Sequence, residues 1–261
     1  MIRTRIDKTP KNVPYEIERL ISGAEIYDSS CSPEARVYFI DKHDGYYLKC
    51  ASVGTLGREA EMTSYFHRKG LAAEVVAYVN DEYDWMLTRR VIGEDATHMD
   101  YIANPKRLAE FMGEELRRLH EIDYTGCPVM NKTAEYLALA EANYRTGNYD
   151  MSYFPDSFGY KSAEEAYKYL ASRKHELECN TLVHGDYCLP NVMLNGWQLS
   201  AFIDLGNAGV SDRHIDLFWG AWTLEFNLKT DEYRDRFFDA YGRDRIDLSR
   251  LSIVAAAEVF G

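Results

Sequence analysis

No stretch of this 261-residue chain comes near the roughly 20 consecutive apolar residues of a membrane-spanning helix. The opening residues, MIRTRIDKTPKNV, lack the apolar core that marks a secretory leader. Cysteine is sparse: Cys31, Cys50, Cys127, Cys179 and Cys188 are scattered and show no C-x-x-C spacing. That argues against a disulfide framework or a zinc site and fits a reducing cytoplasm. Positive charge is also scarce, with a formal net charge of −12. Nucleic acid, whose binders carry a basic patch, is therefore not the expected partner, whereas an acidic cleft suits a small cationic one. Internal repeats and low-complexity tracts are missing too.

A hydrophobic content of 46% allows a large buried core, and its pattern changes along the chain. Residues 36–40 and 45–50 read as a hairpin across a turn at 41–44, followed by a helix over 58–69 whose apolar stripe is Ala60, Met62, Tyr65 and Phe66. Two more strands are expected at 75–79 and 85–88. From Pro105 the period becomes helical: Leu108, Phe111, Met112, Leu116 and Leu119 lead to His120, with further helices at 133–145 and 162–174. Short strands at 192–194 and 201–203 interrupt this texture, and helices close the chain. The expected fold class is α+β, with a small β-rich lobe over 1–92 that includes a hinge near 88–93. A larger, mostly helical lobe covers 93–261.

Residues 182–207, LVHGDYCLPNVMLNGWQLSAFIDLGN, are the most informative segment. Asp186 stands five positions before Asn191, and Asp204 closes an apolar run. Protein kinases space their catalytic Asp and metal-binding Asn in the same way, in H-R-D-x-x-x-x-N, and follow with D-F-G. Here His184-Gly185-Asp186 replaces His-Arg-Asp, without the Arg that reads activation-loop phosphorylation, and no activation segment follows Asp204. Asp186 is the expected base that takes a proton from an acceptor hydroxyl, with Asn191 and Asp204 as hard oxygen ligands for Mg2+. Lys49 ends an alternating strand, and Glu59 on the next helix is its expected partner for cradling phosphates; Glu61 would face elsewhere. Ser29, Ser30 and Ser32 lie in a glycine-free loop where a phosphate loop is expected. Cys188 reads as a small filler, because nearby carboxylates disfavour a thiolate.

These motifs, with Leu119-His120-Glu121-Ile122-Asp123, Cys127-Pro128, Asp212-Arg213 and Glu258-Val259-Phe260, resemble the bacterial aminoglycoside phosphotransferases, and within them the 3'-phosphotransferase branch. Ser32 to Tyr38 is similar to that family's nucleotide loop. The resemblance implies a protein-kinase-like bilobal fold and transfer of the γ-phosphate of ATP or GTP to a substrate hydroxyl, and thereby antibiotic resistance. It implies Tyr47 against the purine ring, with Thr88, Arg90 and Val91 in the hinge that meets the base. It makes His184 and Asp216 structural, and it assigns a polycationic substrate to Asp150, Asp156, Glu225, Glu258 and the Phe260 end of the chain. Two residues depart from the pattern of that branch: Asn207 stands where Arg is usual and Ala257 where Asp is usual, at positions expected to line the substrate region. A related kinase for another hydroxylated antibiotic or amino alcohol, or an inactive nucleotide-binding scaffold, would share the central motif.

Overall fold

The structure, a computed structural model, describes residues 3–31, 35–150 and 159–261. Along the chain run β1 (Thr4–Ile6), α1 (Tyr15–Ile21), β2 (Glu25–Asp28), β3 (Ala35–Asp41), β4 (Tyr46–Ser52), α2 (Gly57–Arg68), β5 (Val75–Asn80), β6 (Tyr83–Arg89) and β7 (Glu94–Asp95). Then come α3 (Met99–Ile102), α4 (Pro105–His120), α5 (Lys132–Thr146), α6 (Ala163–Arg173), β8 (Thr181–Val183), β9 (Val192–Asn195) and β10 (Gln198–Phe202). β11 (Gly209–Ser211), α7 (His214–Leu228), α8 (Arg234–Tyr241) and α9 (Leu248–Glu258) complete the order. The chain forms two compact units: Met1–Glu94 with Met193–Gly206, and Asp95–Val192 with Asn207–Gly261. A single cut near residue 92 does not describe this, because the β9–β10 hairpin returns to the first unit.

In the first unit an antiparallel sheet runs β1-β2-β3-β4-β6-β5. Alternation along β4 gives the sheet two different faces. Leu48 joins Ile17 and Ile21 of α1 with Ile40, Trp85 and Leu87 in one core. Ala51 packs with Leu56, Ala60 and Met86 on the side of α2. Lys49, one residue from Leu48, thus shares the α2 face with Tyr47 and Ala51. Helix α1 was not expected from the sequence, since its seven residues fall short of a persuasive helical period.

The start of α2 is fixed by Asp84, which is fully buried and accepts the Leu56 N–H at 2.7 Å. Burial opposes ionisation of Asp84, but the Leu56 and Gly54 N–H groups outweigh it and hold the carboxyl below its ordinary range. The hairpin's last strand is tied on by the Phe202 N–H, which donates to the Leu71 carbonyl at 2.8 Å, and by the Phe66 and Phe202 rings, 6.5 Å apart. Gly93 is needed at this junction: at φ +116° an added Cβ would lie 2.0 Å from the Leu194 carbonyl oxygen.

The second unit is mostly helical. Ala140 of α5, Ala166 and Leu170 of α6, Ile215 of α7 and Ile253, Val254 and Ala256 of α9 share one core. The short antiparallel pair of β8 and β11 carries the segment that leads into residues 184–191. Helices α4 and α8 touch at Gly113, where an added Cβ would stand 2.4 Å from the Phe237 carbonyl oxygen. Gly113→Ala should therefore force the helices apart and cost about 1–3 kcal/mol, read as a lower urea midpoint at unchanged slope. A midpoint equal to or above that of the unsubstituted chain would show that the contact relaxes freely.

Candidate active site

The side chains of the first unit expected to meet phosphates gather around Lys49. Its ammonium donates to both oxygens of Glu59, at 2.9 and 2.8 Å, and to Oδ1 of Asp204 at 2.8 Å. Glu59 is thus the partner of Lys49, as expected over Glu61, while the Asp204 contact was not foreseen. Burial disfavours the Lys49 ammonium, yet the carboxylates of Asp204 and Glu59 overcome that and raise its pKa above the ordinary lysine value. Glu59 is raised, chiefly by burial, with Lys49 pulling the other way. Asp204 keeps half of its side chain exposed and holds a left-handed backbone, φ +57°. That region costs an ordinary residue energy, but a short polar side chain tolerates it.

Lys49 lies on the wall of a cavity of about 350 Å³ within this unit, together with Tyr47, Met86, Thr88, Val91 and Asp204. Ser29 also lines it, whereas Ser32 lies outside the described residues. In the expected hinge, the Arg89 N–H donates to the Glu74 carbonyl and the Arg90 N–H to the Gly45 carbonyl, both at 3.0 Å. Arg90 points its guanidinium at the Phe39 ring, 5.8 Å from the centroid. Thr88 and Val91 line the cavity, while Arg90 is not among its lining residues. Met86 was not expected in the cavity, because apolar strand residues carry no mark of which face they line.

In the second unit Asp216 braces the loop that carries Asp186. Its carboxylate accepts the His184 and Gly185 N–H groups, each at 2.7 Å, and His120 Nε2 at 3.2 Å. Both His120 and Asp216 are fully shielded from solvent, and burial lowers the His120 pKa, so the contact is a neutral imidazole donating to a carboxylate. The Tyr241 hydroxyl then donates to His120 Nδ1 at 2.9 Å. Gly185 has φ +82°, and an added Cβ would lie 2.1 Å from the Asn207 carbonyl oxygen. Steric necessity therefore accounts for Gly where protein kinases have Arg. Tyr187 anchors the loop from the other side, donating its hydroxyl to the Met112 carbonyl at 2.9 Å.

Asn191 spends its amide hydrogens on Asp186, donating to Oδ2 at 2.9 Å and to the main-chain oxygen at 3.0 Å. Its side-chain carbonyl, the atom suited to a hard cation, is left without a protein partner among the described residues. Cys188 has its thiol pushed well up by burial and by the Asp186 charge, so it is no nucleophile.

The expected acidic ligands differ in exposure. Asp150 is exposed, Glu225 on α7 is half-buried, and Asp156 lies outside the described residues. Glu258 is buried and accepts the Tyr136 hydroxyl at 2.8 Å and Trp219 Nε1 at 3.1 Å. Burial pushes its carboxyl up to about 7; those two donors pull it down, and the Asp186 charge raises it again. The Phe260 ring is fully buried against Tyr144, Tyr149 and Tyr167, so its side chain belongs to the core rather than to an open surface. Ala257 is also fully buried in the α9 core, which corrects the expectation that it lines a substrate surface. Asn207 is exposed and accepts Lys132 Nζ at 3.4 Å.

The profile of the phosphotransferase enzyme family matches residues 32–252. The chain is 50% identical over 261 residues to a probable aminoglycoside 3'-phosphotransferase of Lactococcus lactis, covering 100% of this chain and 98% of that one. Among solved structures, an aminoglycoside-3'-phosphotransferase of type VIII aligns with a TM-score of 0.77 at 23% identity, over 94% of this chain and 97% of that one. The aminoglycoside phosphotransferase APH(3'')-Id of Streptomyces rimosus, in complex with ADP and streptomycin, aligns with a TM-score of 0.69 at 23% identity, over 87% and 91%. The fold is thus the α+β, protein-kinase-like one.

The raised carboxyl of Glu258 has a consequence for stability. A group whose folded pKa lies above its unfolded value stabilises fully below the unfolded value, near 4.5, and loses that contribution as pH rises through about 7. Glu258→Gln, which keeps an acceptor for Tyr136 and Trp219, should therefore gain stability relative to the unsubstituted protein between pH 5 and pH 8, by about 1–3 kcal/mol. A difference in melting temperature that is flat across this range would contradict the buried-carboxyl reading.

Proposed function

The chain belongs to the phosphotransferase enzyme family, and from that premise we propose that it transfers the γ-phosphate of ATP or GTP to a hydroxyl of an aminoglycoside, the 3'-hydroxyl, in the cytoplasm. The observation that carries the phosphoryl-transfer reading is Lys49 clamped between Glu59 and Asp204 on the wall of a cavity large enough for a nucleobase. The acceptor reading is supported by the name of the Lactococcus lactis relative, and the nucleotide by the ADP in the Streptomyces rimosus complex. Among the described residues no cysteine is in a disulfide, which is compatible with a reducing compartment.

Asp186 accepts the proton of the acceptor hydroxyl as its oxygen attacks the γ-phosphorus and the nucleoside diphosphate leaves. Asn191 orients the Asp186 carboxylate by donating to Oδ2. Glu59 holds the Lys49 ammonium in place to meet phosphate oxygens. Asn191 and Asp204 each carry an oxygen of the kind magnesium takes: the Asn191 carbonyl oxygen has no protein partner among the described residues, and Asp204 has one oxygen on Lys49 and half its side chain exposed. When bound, the ion neutralises charge on the phosphates. Glu225, Glu258 and Asp150 are the carboxylates for the ammonium groups of the substrate, with Asp156 assigned by sequence alone.

Steady-state assays with Mg·ATP and Mg·GTP across an aminoglycoside panel test this reading. Kanamycin and neomycin should be phosphorylated and compounds lacking the 3'-hydroxyl should not. Asp186→Ala should lower kcat by about 10²–10⁴-fold. If no aminoglycoside stimulates nucleotide consumption, the acceptor assignment is lost; if 3'-deoxy compounds react equally well, only the 3' assignment is.

A further inference from the structure

Tyr47 lines the cavity as an aromatic wall, and the hydroxyl end of its ring has a side-chain partner. Arg3 Nη2 donates to that hydroxyl at 2.8 Å. The same guanidinium lies 3.7 Å above the centroid of Phe39 and 5.8 Å from that of Tyr47. Phe39 stands directly opposite Tyr47 in the β3–β4 register, their ring centroids 5.5 Å apart. Arg3 precedes β1, and pairing of Thr4 with Asp28 holds that strand at the edge of the sheet. Its side chain therefore reaches from the edge strand, across the ring of β3, to the hydroxyl of β4.

An arginine suits this span better than a lysine. Its planar group can stack on one ring while a fixed N–H points at another group. A tyrosine anchored only at Cα can swing about χ1, and a ring that swings is a poor surface for a flat ligand. Fixing the hydroxyl as well holds both ends of the ring, so that less freedom is lost when a ligand lies against it.

We propose that Arg3 is a positioning residue for the nucleotide: by holding the Tyr47 hydroxyl and capping Phe39, it sets the plane on which the nucleobase stacks. This rests on the reading of the cavity as a nucleotide site. Its signature is on nucleotide affinity and not on chemistry, since Arg3 touches neither Lys49 nor the Asp186 loop.

The test is calorimetric titration with ADP in the absence of acceptor, followed by steady-state kinetics, for Arg3→Ala, Arg3→Lys, Tyr47→Phe and the Arg3→Ala/Tyr47→Phe double variant. Arg3→Ala should weaken ADP binding and raise the nucleotide KM by about three- to tenfold, the range for an exposed charge-assisted contact, with kcat and acceptor KM held within about twofold. Arg3→Lys should fall between. Arg3→Ala should add little once the Tyr47 hydroxyl is gone. Unchanged ADP affinity in Arg3→Ala, or an undiminished effect in the Tyr47→Phe background, overturns the proposal while the nucleotide reading stands. Failure of the unsubstituted protein to bind ADP overturns both.

Discussion

The buried carboxylate of Asp216 is the interaction on which the loop of Asp186 depends. A fully desolvated carboxylate is tolerated only when its lone pairs are filled, and here two consecutive main-chain N–H groups and an imidazole fill them. The exchange is reciprocal: the consecutive main-chain N–H groups of His184 and Gly185 both find their acceptor in this one side chain. Because Gly185 is pressed against the Asn207 main chain, the loop can neither slide nor accept a larger residue there. Asp186 inherits its position from a neighbour that is itself fully buried.

Electrostatics in the two units share one theme, an excess of carboxylate over cation. Lys49 is outnumbered by Glu59 and Asp204, and Glu258 is crowded enough by burial and by Asp186 to hold its proton up to about neutrality. Such surroundings are uncomfortable without positive charge from outside. Cations supplied from outside would relieve each of these surroundings in its own unit. The overall charge of −12 is the same bias seen at the scale of the chain.

The sequence was most legible where chemistry demands rare side chains at fixed spacing. Asp186 and Asn191 fall together, and Lys49 finds Glu59, because catalysis leaves few alternatives at those positions. The hairpin and the α2 and α4 helices were legible for another reason, since their apolar periods run long enough to be unambiguous. What escaped was short or long-range. Helix α1 has too few residues to show a period, and the return of residues 193–206 to the first unit is a tertiary choice that no local pattern encodes. The burial of Ala257 and Phe260 escaped as well, since a position near an acidic terminus suggests exposure until α9 is packed against α6. The double grip on Lys49 could not be read from residues 155 positions apart.

Asp204 carries a further implication. Its left-handed backbone is one that glycine adopts without strain, whereas an aspartate there carries a conformational cost on the order of 1 kcal/mol. Stability and function thus pull this position in opposite directions. A population screened only for heat resistance has reason to drift through Asp204→Gly and would lose the carboxylate beside Lys49 in doing so. A population grown under drug pressure must keep the strained residue, so the history of selection on such a gene is written in one backbone torsion.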